Sequence, residues 1–195
     1  MKQDGLENVK GQRVKVPTWV RGHESAMLIK PFKRNLSMLG LGGSIATPKK
    51  GITSEVIVVN TFDELKKKER DVGGKIVLFN VPFTTYGETV GYRFHGASKA
   101  ASFGAKASLV RSIGPWSMNT PHTGVMAYDE KYPKIPHAAL TMEDAMMLGR
   151  LYDRGEKIII KSFNGAISTA LPPSKIFCAP IGSNNSCISE TMVLA

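Results

Sequence analysis

The sequence is poor in cysteine and lacks any long apolar stretch. Two cysteines occur in 195 residues, Cys178 and Cys187, both near the C-terminal end. Their spacing fits neither a CxxC pair nor a metal-ligand cluster. So small a count is compatible with a disulfide in an oxidising compartment and equally with two unlinked thiols. No apolar run reaches the roughly 18 residues that a bilayer-spanning helix needs. The opening MKQDGLENVKGQRVKV has no apolar core and does not read as a signal peptide. Taken literally, the chain enters the cytosol; on a second reading, Met1 lies inside a longer product whose signal has been lost.

Chemistry-bearing motifs are equally scarce. The four histidines, His23, His95, His122 and His137, fall in separate segments, and none forms HExxH or HxH. Each reads as a packing or surface residue. There is no GxSxG elbow, and neither cysteine has an evident histidine partner. The glycine-rich stretch 40–44 (GLGGS) lacks the GK[ST] ending of a phosphate loop, and no helix follows it. A turn needing positive φ is the better reading. No residue is therefore assigned as catalytic, cofactor-binding or metal-ligating. Two sequons, Asn35-Leu36-Ser37 and Asn184-Asn185-Ser186, make Asn35 and Asn184 candidate N-glycosylation sites if the chain is secreted.

What is present is a globular composition, 42% hydrophobic and 22% charged. Lys plus Arg number 26 against 16 Asp plus Glu, a net charge of +10. Such a balance favours acidic partners. Apart from Lys66-Lys67-Lys68-Glu69-Arg70 the positive charge is scattered, without a basic stripe interleaved with aromatics. That distribution argues for a solvated basic surface and against nucleic-acid binding.

Patterning gives a mixed α/β order. Residues 13–20 (RVKVPTWV) and 25–29 read as extended, with Pro17 suggesting an edge, and 36–41 and 54–59 (SEVIVV) as strands. Thr61 and Glu64 form a capping box that opens a helix, and Gly73-Gly74 ends it. The run Lys66–Lys68 with Arg70 thus falls at the negative end of a helix dipole. Residues 75–79 (KIVLF) read as a buried strand, 91–103 as a helix, and 106–110 as the next strand. This order implies a parallel pair with a right-handed crossover. Residues 111–134 read as a long surface loop, 142–153 as a helix capped by Thr141, and 157–161 (KIIIK) as the last strand. Beyond residue 165 the composition turns to Ser, Pro, Asn and Ala, and reads as loop or disorder.

Seven blocks in order carry a resemblance: 4–9 (DGLENV), 16–26 (VPTWVRGHESA), 39–48 (LGLGGSIATP), 51–56 (GITSEV), 74–77 (GKIV), 117–124 (SMNTPHTG) and 134–145 (KIPHAALTMEDA). Together they resemble the M28 metallopeptidases, in the branch of zinc carboxypeptidases and dipeptidases. The resemblance implies a protease-associated (PA) domain, an open β-barrel or sandwich flanked by helices, over 36–165. It makes 1–35 a remnant of the peptidase domain's N-terminal strands and 166–195 a divergent, disordered tail. The remnant strands, with Trp19 and Val20, would then present open edges. It implies peptide substrates, a secreted or lysosomal setting and two zinc ions for the full-length family, and it leaves homodimer formation open. The family's zinc ligands follow the PA domain, in a segment resembling GHxDSW that this sequence does not contain. No cofactor is therefore expected in this chain. Without a zinc-activated water and a carboxylate to take its proton, no peptidase activity is expected from it alone.

Overall fold

The computed structural model describes residues 3, 5, 10–14, 17–170, 174–178, 187 and 188. In chain order the strands are β1 (Lys10–Val14), β2 (Pro17–Val20), β3 (Glu24–Lys30), β4 (Arg34–Leu36), β5 (Met38–Gly40), β6 (Ile52–Val59), β7 (Ile76–Phe79), β8 (Ala107–Arg111), β9 (His137–Leu140), β10 (Ile159–Asn164), β11 (Ile167–Ala170), β12 (Ser174–Cys178) and β13 (Cys187–Ile188). The helices are α1 (Phe62–Lys67), α2 (Glu69–Val72), α3 (Tyr86–Ala101) and α4 (Met142–Asp153). Contacts divide the chain into two units, Arg21–Ile167 and the two terminal segments Met1–Val20 with Ser168–Ala195.

The larger unit is built on one sheet of eight strands in the order β4-β3-β10-β6-β7-β8-β9-β5. Its middle is parallel: Val58 sits beside Leu78, Leu78 beside Leu109, and Leu109 beside Ala138. Parallel strands are covered on both faces and need continuous apolar sequence. The runs Val56–Val59, IVLF of β7 and HAAL of β9 supply it, and all are buried. Both margins of the sheet turn antiparallel, β10 with β3 and β6, β3 with β4, and β5 with β9. Contacts between β3 and β5 bring those margins together, so the sheet is a nearly closed, barrel-like wall flanked by helices.

Side-chain alternation sorts the core into two layers. Ile76 and Leu78 of β7 join Leu109, Leu140 and the α4 residues Ala145, Leu148 and Leu151. Val77 and Phe79 join Val110, Ala139 and the α3 residues Ala97, Ala100 and Ala101. Burying a residue such as Leu148 contributes about 1.5–3 kcal/mol.

Local signals explain most boundaries. Thr61 caps α1, its Oγ1 accepting the Glu64 N–H at 3.0 Å, while Glu64 Oε2 accepts the Asn60 N–H at 2.7 Å. The reciprocal half of the capping box thus reaches one residue further back than expected. Thr141 caps α4 over the expected range. Helix α3 starts earlier than 91, behind its own Thr85 cap, which accepts from the Glu88 N–H. Gly43 takes the expected positive φ, 92°.

Other regions differ from the sequence reading. Residues 25–29 form part of β3, an interior strand between β10 and β4 with Ala26 and Leu28 buried, rather than an open edge. The larger unit thus begins upstream of residue 36. In the smaller unit, β12 lies between β1 and β13, and β11 pairs with β2; these strands occupy part of the stretch read as loop or disorder. Val20 there is exposed.

Candidate functional site

The connection from β8 to β9, residues 112–136, is long but pinned at nearly every turn. Ser112 Oγ donates to the Leu140 carbonyl at 2.6 Å and accepts the His122 N–H at 2.8 Å. Ser117 hydrogen-bonds the Glu143 carboxylate at the start of α4, and Glu143 Oε1 accepts the Asn119 N–H at 3.2 Å. These bonds, that from Ser117 first, hold the Glu143 carboxyl below its ordinary range. Gly124 and Met126 bracket Gly42 through backbone bonds of 2.8 and 2.9 Å. Asp129 N–H donates to Ser98 Oγ of α3 at 2.9 Å, and Tyr128 Oη spans the Ile45 N–H and the Ile135 carbonyl. So ordered a loop still exposes Trp116 at 72% and Met118 at 80%. Met118 and Asn119 adopt positive φ, 45° and 55°, a conformation unusual for residues other than glycine.

Below the loop lie polar groups in the α3-side layer. His137 is wholly buried: its Nδ1 meets Ser108 Oγ at 2.8 Å and its N–H donates to Ser44 Oγ at 2.9 Å. Burial drives its pKa down to about 4, since the charged ring would lose its hydration. The backbone of Ser108 first, then of Tyr92 and Arg93, opposes that shift only in part, and Nε2 completes no hydrogen bond. Without solvent access or an orienting carboxylate, this Ser–His pair has no means of acting as a nucleophile and base. Arg93 also faces inward from α3, and only 6% of it is exposed. Its Nη2 donates to Tyr86 Oη at 2.7 Å, its guanidinium lies 5.4 Å from that ring's centre, and its Nε has no partner. A Cβ at Gly124 would fall 2.6 Å from Arg93 Cζ, so only glycine lets the loop cross the guanidinium so closely.

The remaining histidines are dispersed. His95 is exposed on α3, His122 is exposed in the loop, and His23 is exposed with its ring 5.8 Å from that of Phe163. Among the described residues no three His, Cys, Asp or Glu side chains converge as a metal site would require. The donor set here does not fit a zinc ion. Asn35 is exposed on β4 and lines a groove of about 490 Å³ with Met27, Ile29, Lys33 and Phe163. Asn184 lies outside the described residues. No helix among the described residues is long and apolar enough to cross a membrane.

Comparison with known proteins bears on these observations. Carboxypeptidase Q of Xenopus laevis is 52% identical over 168 residues, 86% of this chain and 36% of the relative. The chain is a homologue of part of carboxypeptidase Q. Carboxypeptidase Q of Bos taurus is 49% identical over the same share, and that of Homo sapiens 48% identical over 85% of this chain and 35% of the relative. The chain thus spans about a third of the length of the curated relatives it matches. No family model matches it. Among solved structures, an M28 peptidase precursor from Shewanella amazonensis superposes with a TM-score of 0.84 at 31% identity, over 91% of this chain and 42% of that one. A zinc aminopeptidase from Bacillus subtilis shares the fold at 20% identity, TM-score 0.61, over 92% and 38%. The M28 resemblance carried by the seven sequence blocks therefore holds for carboxypeptidase Q and for an M28 fold.

Sequence reasoning missed Arg93. A charged residue on the inward stripe of α3, in register with Ala97 and Ala100, is the signal that marks it. The late start given to that helix concealed its neighbour Tyr86.

Proposed function

We propose that this chain is the accessory, PA-type part of a zinc-dependent exopeptidase of the carboxypeptidase and dipeptidase kind, and that it is inactive alone. The single observation behind this reading is the identity of about half its residues with carboxypeptidase Q, over most of this chain but only 36% of the relative. Hydrolysis of a peptide bond by such enzymes needs a metal-bound water and a general base. On this reading the full-length protein acts on peptides in a secretory or lysosomal compartment, where Asn35 is accessible to glycosylation. Zinc analysis together with dipeptide hydrolysis tests it. The 195-residue chain should carry no stoichiometric zinc and show no turnover, whereas a chain of the relatives' full length should show both. Stoichiometric zinc and turnover in the short chain would overturn the proposal.

A second reading is a non-catalytic module that binds peptides or partner proteins. The firmly held 112–136 loop with exposed Trp116 and Met118 favours it. Saturable peptide binding by a full-length chain that lacks both zinc and hydrolysis would select it.

A further inference from the structure

A guanidinium carries five N–H donors and cannot shed its charge. Among the described residues Arg93 uses those donors for a single hydrogen bond, to Tyr86, and forms no ion pair. Burying a cation without an anion is costly, and folds retain such a group where a partner completes it. The Tyr86 side chain and the Gly124 backbone fix the guanidinium in place. Tyr86 is itself 51% exposed. Because its hydroxyl oxygen accepts from Arg93, its own proton is uncommitted among the described residues.

We infer that Arg93 and Tyr86 form a binding site for the carboxylate of a peptide. Planar guanidinium geometry matches a carboxylate through two parallel N–H···O bonds, and the Tyr86 hydroxyl adds a third donor beside them. Gly124 backs this site: a methyl group at 124 would fall 2.6 Å from Cζ, over the face of the guanidinium, and would displace it. The general positive balance of the chain, +10, favours approach of an acidic peptide. The inference rests on the reading of the protein as part of a peptidase, for which it supplies a point of substrate recognition apart from the chemistry.

The test is a titration of the 195-residue chain followed by ¹H–¹⁵N spectra of the arginine Nε–H groups at constant ionic strength. Arg93→Lys identifies the Arg93 resonance. Three probes are used: N-acetyl-Ala-Ala with a free C-terminus, the same peptide as its C-terminal amide, and N-acetyl-Asp-Ala amide. A saturable shift of Arg93 Nε–H is expected with at least one acid, and at least about tenfold weaker binding with the Ala-Ala amide. The ratio of the two acids tells a terminal carboxylate from a side-chain one. Tyr86→Phe and Gly124→Ala should each weaken the acid by about tenfold, the first without loss of fold because the ring stays. No saturable shift with either acid, equal shifts with the Ala-Ala amide, or undiminished binding in both variants overturns the site. The readout is binding alone. Its failure beside an active full-length enzyme would remove the site and leave the peptidase reading, and an inactive full-length enzyme beside intact binding would do the reverse.

Discussion

Against α4 the sheet presents Leu78, Leu109 and Leu140, an unbroken apolar layer. Against α3, Val77, Phe79 and Val110 share the layer with Ser108 and His137, and α3 itself brings Arg93. Both helices carry an inward glycine, Gly149 in α4 and Gly96 in α3, but their neighbours differ. A Cβ on Gly149 would meet only the mobile end of Asn80, Nδ2 at 2.5 Å; one on Gly96 would meet Phe79 at 3.0 Å and His137 Nε2 at 3.1 Å. One layer is thus built for stability, and the other accepts polar groups that weaken it. The costlier layer is where recognition is to be sought.

The largest effect separating the layers should come from Leu148→Ala, which empties a fully buried place on the α4 side. It should cost about 2–5 kcal/mol in urea unfolding. Acid comes next, acting through His137. Its folded pKa, about 4, lies below the ordinary 6.5, so the unfolded chain binds the proton more readily. This contribution is present in full above pH 6.5 and is lost as pH falls towards 4, by roughly 3 kcal/mol in all. His137→Asn should flatten that part of the stability-versus-pH curve, and an unchanged slope would show that other groups carry it. Gly96→Ala should cost about 1–3 kcal/mol by overpacking Phe79 and His137, measurable as a lower thermal midpoint. The smallest effect has the opposite sign. Gly91 of α3 has nothing within 4 Å of its missing Cβ, so Gly91→Ala should stabilise by about 0.4–1 kcal/mol.

The same contrast explains what was legible in the sequence. The α4 layer announces itself: Thr141, Glu143, Asp144 and an apolar stripe give the limits of α4, and VIVV and IVLF give its strands. Helix α3 carries Gly87, Gly91 and Gly96, which dilute every helical signal, and its Thr85–Glu88 cap sits apart from any apolar run. The place of β3 depends on pairing with β10, from Glu24 with Asn164 to Lys30 with Ile159. Local pattern cannot report a partner so distant in sequence, so 25–29 read only as an extended piece of the N-terminal remnant. The burial of His137 follows from the tight approach of α3 to β9 over Gly96, which is a property of packing rather than of periodicity. The family resemblance was legible because seven blocks recur in order along the chain.

At the ends of the larger unit, Gly22 and Gly165 lie against each other so closely that a Cβ on Gly22 would overlap the Gly165 carbonyl, and the Gly165 N–H donates to the His23 carbonyl at 2.9 Å. The chain therefore enters and leaves this unit through one doorway. A host protein could gain or lose the whole unit by cutting at a single surface position, with neither flank stretched. In evolutionary terms the clasp makes the unit portable, and the two glycines hold that doorway shut.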